Sequence, residues 1–421
     1  MVKFIHAADV HLDSPLRGLS RYEGAPEDDI RNATRRALEN LVSLAVEESV
    51  DFVLLAGDLY DGNWKDHNTG LFFSRQMSEL RKADIKVFIV SGNHDAQSVI
   101  TEELKLPDNV FQFSTKTPET KQLDEIGIAI HGQGFHTKAV TSDLSAHYPQ
   151  AVPDVFNIGL LHTSVTGRDG HDNYAPCTVD GLVQRGYDYW ALGHVHVQEQ
   201  IAADIPIWFP GNIQGRHIRE TGPKGCLLVN VNEVGTAGVE FRELDVFRWM
   251  KLDVDASKAV NSDDCLESFR ALLPIVLEKG NGRSIAIRVN VFGESKVHEK
   301  LLSRPDSLLS DFRSVANDYG DGYIWIEKVE ISTHADLKKV QPTFLEGPLE
   351  ELTNIFNSFQ TDEAVLAELT EELNPLLKKL PVELREGEDS LRFDKPDTIR
   401  AILKSIQPML LARLRGSGVH S

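Results

Sequence analysis

The chain has 421 residues, of which 41% are hydrophobic, and a formal net charge of −20 at pH 7. This length suffices for two or three domain cores, because globular domains usually contain roughly 100–200 residues. The acidic balance argues against nonspecific nucleic-acid binding through global charge, but segment 212–225 is locally basic, so a polyanionic substrate is not excluded.

Five short apolar runs in the first 245 residues predict buried strands, because each is rich in β-branched residues and breaks abruptly into Asp, Asn or His. The runs are "KFIHAADVH" (3–11), "DFVLLAGDLYD" (51–61), "KVFIVSGNHD" (86–95), "FNIGLLHTS" (156–164) and "YDYWALGHVH" (187–196). Apolar residues at helical spacing predict helices over 28–49 and about 67–83. Strands alternating with helices indicate a layered α/β fold, in which ligands gather at the carboxyl ends of the strands.

The remaining sequence is organised differently. Residues 249–333 follow a β-α-β-α-β order, which indicates a small α+β domain. After about residue 345 only helical apolar stripes occur, so we expect a helical C-terminal arm, either free to bind a partner or packed as a layer on its own domain. The predicted domains are therefore 1–245, 249–335 and 345–421.

Eight polar residues at the predicted strand ends form a mixed oxygen and imidazole set. They are Asp9, His11, Asp58, Asn93, His94, His162, His194 and His196. Such a set suits manganese, iron or zinc better than magnesium or calcium alone. Any one of these histidines by itself is more often a core or surface residue, but five such motifs in one domain favour a metal site. Seven ligands without His94 are too many for one tetrahedral ion and fit two ions that share a carboxylate.

The motifs "DVH", "GDLYD", "GNHD", "LLHT" and "GHVH", in this order, resemble those of the calcineurin-like metallophosphoesterases over residues 1 to about 245. "ADVHLDSP" and "FPGNIQGRHIRETGPKGC" further resemble the SbcD-type DNA repair nucleases, in particular their YhaO-like branch. The resemblance implies a core of two sheets flanked by helices, with a smaller α+β cap domain beside the active site. It also implies two divalent ions, with manganese favoured and iron, zinc or magnesium as alternatives.

The family pattern implies a role for each motif residue. Asp9, His11, Asp58 and His196 would hold one ion, and Asp58, Asn93, His162 and His194 would hold the other, with Asp58 as the bridge. A metal-activated hydroxide would attack phosphorus, and His94 would act as the general acid with Asp95 orienting its imidazole. Some relatives carry a second histidine where this chain has Asp61. We therefore expect Asp61 and Asp13 either to accept hydrogen bonds from ligand histidines or only to cap turns.

The resemblance implies DNA as the substrate, with exonuclease or endonuclease activity in DNA repair. Four basic residues are candidate contacts to the DNA backbone, although each is also explained as a solvated surface charge. They are Arg17, Arg216, Arg219 and Lys224. The implied partner is an SMC-type ATPase, SbcC-like or YhaN-like, and relatives commonly form homodimers. Two alternatives are a small-molecule phosphodiesterase or phosphatase and a metal-stabilised structural clamp for DNA.

The sequence also bears on location. The N-terminal residues lack a signal-peptide pattern and no stretch reaches the roughly 18 apolar residues of a membrane span, so a cytoplasmic protein without membrane contact is expected. The three cysteines lie far apart without CxxC spacing, which argues against a disulfide framework or a thiolate zinc site.

Overall fold

The structure is a computed structural model. It describes residues 1–14, 32–61, 67–97, 105–165, 174–202, 205–320, 322–335, 348–379 and 395–400, together with 402–403, 406–407 and 410. The chain divides into two compact units. The first comprises Met1–Lys251, Leu277–Ile287 and Tyr323–Glu327, and the second comprises Leu252–Val276, Arg288–Gly322 and Lys328–Ser421.

The strands in chain order are β1 (Val2–Ala7), β2 (Phe52–Ala56), β3 (Lys86–Val90), β4 (Val110–Gln112), β5 (Glu119–Leu123), β6 (Ile128–Gly132), β7 (Phe156–His162), β8 (Tyr189–Gly193), β9 (Glu199–Ala202), β10 (Ile207–Phe209), β11 (Gly225–Val231), β12 (Ala237–Glu243), β13 (Phe247–Asp255), β14 (Ser284–Ser295) and β15 (Ile324–Ala335). The helices are α1 (Ala33–Glu47), α2 (His67–Lys82), α3 (Val179–Val183), α4 (Ser262–Gly280), α5 (His298–Ser303), α6 (Pro305–Gly320), α7 (Pro348–Thr361) and α8 (Glu363–Lys379). All five predicted strands and both helices predicted in the first domain are present.

Two six-stranded sheets form the centre of the first unit. One has the order β12-β11-β1-β2-β3-β4 and the other has the order β5-β6-β7-β8-β10-β9. Strands β1 to β4 pair in parallel, as do β6, β7, β8 and β10, whereas the outer strands β5, β9, β11 and β12 pair antiparallel. The parallel centre of each sheet therefore places several strand carboxyl ends side by side.

Alternating side chains of the strands build two separate layers of core, as the two-residue period of a strand requires. Phe4 and Phe52 stack with ring centroids 5.0 Å apart in one cluster, which also contains Ile158 of the second sheet. Their neighbours Ile5 and Val53 belong instead to the cluster that contains the buried faces of α1 and α2. The sheets thus pack face to face and the helices cover the outer side of the first sheet.

The predicted α/β architecture with a C-terminal helical segment is confirmed. Strands β13, β14 and β15 form a three-stranded sheet in that order, and α4, α5 and α6 lie between them in sequence, as expected for an α+β arrangement. Helices α7 and α8 contact each other in the C-terminal segment. Within the parts of the chain that the structure describes, no helix has both the length and the apolar character needed to cross a membrane.

Candidate metal centre

The predicted ligands converge at the carboxyl ends of β1, β2, β3, β7 and β8. Asp9 and His11 follow β1, Asp58 follows β2, Asn93 and His94 follow β3, His162 ends β7, and His194 and His196 follow β8. All of them lie in the first compact unit. The convergence follows from topology, because neighbouring parallel strands end at the same edge of a sheet.

The backbone leaves the strand pleat abruptly at these residues. The non-glycine residues with left-handed φ include Asp9 (51°), His11 (42°), Asp58 (53°) and His194 (104°). Gly193 precedes His194 because a Cβ there would lie 1.8 Å from the carbonyl oxygen of Ala56, closer than two atoms can approach. Backbone strain of this kind persists where the surrounding structure fixes it, and it concentrates at functional sites.

One group of ligands surrounds the carboxylate of Asp9. The Nε2 atoms of His11 and His196 face each other at 3.3 Å, and His196 Nε2 lies 3.8 Å from Asp9 Oδ1. The backbone N–H of His194 donates to both carboxylate oxygens of Asp9, at 3.2 and 3.0 Å. Asp9, His11 and His196 therefore offer three donor atoms to one cation.

Asp58 links this group to a second one. Its Oδ2 lies 3.9 Å from His11 Nε2 and 3.5 Å from His162 Nε2. Asn93 Oδ1 lies 2.9 Å from the same His162 nitrogen, and the ring of His194 meets that of His162 edge-on with centroids 5.2 Å apart. Asp58 thus stands between both groups, where the proposed bridge belongs.

The residues fit divalent cations on chemical grounds. Burial and the neighbouring charge of Asp58 raise the pKa of Asp9 well above its usual range, because two buried carboxylates repel each other without a cation. His162 Nδ1 lies 2.9 Å from the carbonyl oxygen of Ala56, which can only accept, so Nδ1 carries the proton. The lone pair of Nε2 then faces the acceptor Asn93 Oδ1, a repulsive contact that a cation between them would relieve.

His94 lies at the border of both groups. Its backbone N–H donates to Asp58 Oδ1 at 2.9 Å, its ring meets that of His11 edge-on at 5.0 Å, and its side chain is 35% exposed. His94 Nδ1 lies 2.8 Å from Asp61 Oδ1. Although burial opposes protonation, the hydrogen bond to Asp61 and the charges of Asp58 and Asp61 raise the pKa of His94 above its ordinary value.

The prediction that Asp95 orients His94 is wrong. The buried carboxylate of Asp95 accepts hydrogen bonds from the backbone N–H groups of Leu59, Tyr60 and Gly92 at 2.9 to 3.0 Å. It therefore joins the loops after β2 and β3. Burial and the charge of Asp58 raise the pKa of Asp95 to about 7.

Asp61 and Asp13 have different functions in the structure. Asp61 takes the place at His94 that was assigned to Asp95. Asp13 instead accepts from Arg35 Nε at 2.7 Å and from Thr69 Oγ1 at 2.6 Å, so it connects loop and helix. Asp61 accepts from the predicted general acid His94 rather than from a predicted ligand histidine, and its Oδ1 lies 3.8 Å from Nδ1 of the ligand His11.

Two of the four basic residues predicted to contact DNA are engaged inside the protein. Lys224 is buried and its Nζ donates to the backbone carbonyl of His196 at 2.7 Å, so it is not available to a DNA phosphate. The side chain of Arg216 is only 14% exposed and forms an ion pair with Glu220 at 3.0 Å. Arg219 is exposed, and Arg17 lies outside the described residues.

The sequence analysis does not identify Glu220, because this residue lies within segment 212–225, whose net charge is basic. Its carboxylate lies 2.7 Å from His196 Nδ1, on the opposite side of the imidazole from the metal-facing nitrogen. An acidic residue among the cations of "GRHIRE" was the available signal.

Comparison with known proteins identifies the family. A family model described as calcineurin-like phosphoesterase matches residues 2–198, and one described as the middle domain of metallophosphoesterase YhaO matches residues 249–334. The Bacillus subtilis protein named "Uncharacterized metallophosphoesterase YhaO" is 34% identical over 350 residues, covering 81% of this chain and 85% of that protein. This chain belongs to the calcineurin-like metallophosphoesterase family. It is accordingly a metal-dependent phosphoesterase, and its candidate binuclear centre implies divalent ions.

More distant similarities extend to other proteins. The "DNA double-strand break repair protein Mre11" of Methanopyrus kandleri is 25% identical over 277 residues, covering 58% of this chain and 57% of that protein. Among solved structures, TT1561 of Thermus thermophilus is 14% identical with a TM-score of 0.33, covering 58% of this chain and 99% of that one. A dimetal phosphatase from Danio rerio is 12% identical with a TM-score of 0.35, covering 57% and 99%. These two structural overlaps are too limited to bear on function.

Proposed function

We propose that this metallophosphoesterase is a deoxyribonuclease that hydrolyses phosphodiester bonds of DNA. The observation that carries the proposal is the placement of His94, held by Asp61 at the border of two ligand groups with Asp58 between them. This arrangement combines an anion-binding centre with a proton donor, which hydrolysis of a phosphodiester with an alkoxide leaving group requires. The similarity to an Mre11 protein supports DNA as the substrate.

The ligand residues divide between two ions. Asp9, His11 and His196 would hold one, Asn93, His162 and His194 would hold the other, and Asp58 would contact both. When bound, divalent ions supply Lewis-acid stabilisation of phosphate charge and activate water for in-line attack. Asn93 contributes a neutral oxygen, which limits the negative charge that an approaching phosphate meets. Manganese is the proposed ion, since the mixed set of imidazole and oxygen ligands suits it.

His94 would supply the proton for the leaving oxygen. Because Nδ1 is engaged by Asp61, Nε2 is the nitrogen that remains to donate. The raised pKa keeps the imidazole protonated closer to neutral pH, and its partial exposure leaves it accessible to a large substrate. Asp61, which contacts Nδ1, would keep the imidazole in one orientation and stabilise its protonated form.

The partner proposal concerns the C-terminal segment. Helices α7 and α8 are amphipathic, yet Ile355 on α7 is 43% exposed and Leu376 on α8 is 50% exposed. Exposed apolar residues on amphipathic helices suit docking of a partner's helices. The proposed partner is an SMC-type ATPase of the SbcC-like or YhaN-like kind, with the nuclease acting in DNA repair.

A side-by-side assay tests the substrate. The purified protein with manganese would be given labelled duplex DNA, single-stranded DNA, bis-p-nitrophenyl phosphate and p-nitrophenyl phosphate, with His94→Gln as the control that leaves every proposed ligand in place. We expect cleavage of DNA and of the diester, and a loss on DNA of about 10²–10⁴-fold in the His94 variant. Preference for the monoester, or hydrolysis of the small diester without cleavage of either DNA, would contradict the proposal. Manganese binding without any hydrolysis would indicate a structural clamp.

A further inference from the structure

Glu220 is a buried carboxylate with every acceptor position used. Oε1 accepts from His196 Nδ1 at 2.7 Å and from Arg216 Nη2 at 3.0 Å. Oε2 accepts from the backbone N–H of Arg216 at 2.7 Å and from Asn212 Nδ2 at 3.0 Å. A carboxylate offers about four lone-pair positions, so this side chain is saturated and its rotamer is fixed.

The contact with Glu220 determines how His196 presents itself to a cation. A carboxylate can only accept, so His196 Nδ1 must carry the ring proton and Nε2 must carry the lone pair. That Nε2 faces His11 Nε2 at 3.3 Å and Asp9 Oδ1 at 3.8 Å. Outer carboxylates of this kind fix the tautomer and raise the basicity of a ligand histidine.

The same carboxylate restrains Arg216. The guanidinium is paired with Glu220, and its Nη2 atom lies 3.3 Å from Nδ1 of the proposed ligand His196. Arg216 is therefore a fixed positive charge beside the metal ligands rather than a residue of an outer DNA-binding rim.

The loop that carries Glu220 is itself anchored to the strand ends. Asn212 forms a parallel bridge with Ala8 directly before the first ligand, and its Nδ2 also donates to the carbonyl of Gln214 at 2.7 Å. Lys224 Nζ donates to the His196 carbonyl at 2.7 Å. The loop therefore holds His196 from its backbone as well as from its ring.

We propose that Glu220 is a positioning residue, which fixes the metal-binding tautomer of His196 and holds Arg216 beside the metal centre to contact a non-bridging oxygen of the substrate phosphate. The inference rests on the metal centre and phosphodiester substrate described above. It assigns the segment around residue 216 to the inner wall of the active site. Glu220 itself touches neither ion nor substrate.

Manganese titration by calorimetry tests the metal part, with Glu220→Gln compared with Asp245→Asn. Asp245 is the matched control because it is also a buried carboxylate, paired with Arg248 at 2.8 Å and outside the metal centre. The Gln amide keeps the size but presents an N–H group where one of the donors now binds. We expect Glu220→Gln to weaken one manganese site by about 10–100-fold, and Asp245→Asn to leave both sites unchanged.

Steady-state kinetics on bis-p-nitrophenyl phosphate test the Arg216 part. Arg216→Met keeps Glu220 against His196, so we expect both manganese affinities to be retained and KM to rise with a smaller change in kcat. Glu220→Asp keeps the charge but withdraws the carboxylate by one methylene, and it should reproduce the loss of manganese affinity if Glu220→Gln does not fold.

The outcomes separate the two proposals. Native protein that binds two ions, with Glu220→Gln and Glu220→Asp within twofold of it, would overturn the positioning role alone. An equal loss of manganese affinity in Asp245→Asn would overturn it as well, since the effect would then be general destabilisation. Native protein that takes up no manganese would overturn this proposal together with the metal centre.

Discussion

Replacing Asp61 by Asn tests how the proton donor is positioned. In the native structure His94 Nδ1 and Asp61 Oδ1 are 2.8 Å apart, and Asp61 Oδ1 also lies 3.8 Å from His11 Nδ1. Asn keeps the shape but removes the charge. A hydrogen bond to a charged group contributes about 1.5–3 kcal/mol, and tenfold in rate corresponds to about 1.4 kcal/mol, so DNA cleavage should slow by about 10- to 150-fold.

The substrate dependence distinguishes this role from a structural one. The alkoxide that leaves from DNA needs a proton, whereas p-nitrophenolate leaves without one, so the variant should lose much less on bis-p-nitrophenyl phosphate. Asp61 helps to raise the pKa of His94. A general acid is active when protonated, so activity falls as pH rises through its pKa. Removing the charge of Asp61 should therefore move this alkaline decline to lower pH.

The control is Asp13→Asn, a nearby carboxylate that pairs with Arg35 and Thr69 instead of a histidine of the site. It should leave the pH profile unchanged. Because Asp61 acts through His94, the double variant with His94→Gln should be no slower than His94→Gln alone. Equal losses on DNA and on the activated diester, or additive losses in the double variant, would refute the reasoning.

Four other substitutions examine the centre and its surroundings. Asp58→Asn should abolish hydrolysis and weaken the binding of both ions, because the shared ligand loses its charge. Metal analysis that finds two ions at full occupancy would contradict this. Gly193→Ala should lower the free energy of unfolding by about 1–3 kcal/mol in denaturant titration, since its Cβ would lie 1.8 Å from the Ala56 carbonyl oxygen. An unfolding midpoint equal to that of the native protein would contradict this close contact. Arg219→Ala should reduce the salt slope of DNA binding by roughly one unit and spare small-diester turnover, whereas Arg216→Ala should impair turnover of both substrates. Equal effects of the two arginine substitutions on the small diester would contradict their separate placement.

The sequence predicts the parts of this fold whose signals are local. The strands that end in ligands are continuous apolar runs because they are buried on both faces at the centre of a parallel sheet. Outer strands carry a weaker signal. Strand β12 alternates half-buried and exposed residues at a sheet edge, and β5 reads "ETKQL", so neither was predicted as a strand.

The ligands were predictable but their supporting contacts were not. Adjacency in sequence predicts that the Asp95 carboxylate orients the His94 imidazole. Side chains of adjacent residues after a strand nevertheless point in different directions. The actual partner, Asp61, follows a different strand and reaches His94 only through the pairing of β2 with β3. Similarly, the net charge of a segment does not predict which of its side chains are buried. Arg216 pairs with Glu220, and Lys224 donates to the carbonyl of His196.

Both errors have one physical origin. The far nitrogen of a metal-binding histidine commonly donates to a carboxylate or a carbonyl, which fixes the tautomer and leaves the near nitrogen free to bind. In this chain the carbonyl of Ala56 lies against Nδ1 of His162 and the carboxylate of Glu220 against Nδ1 of His196, and Asp61 contacts the proposed proton donor His94 in the same way. All three acceptors lie at least 24 residues away in sequence from the histidine they contact. The ligand motifs can thus be predicted from their spacing along the chain. The acceptors that orient the histidine side chains cannot, because they depend on which strand ends the sheets bring together.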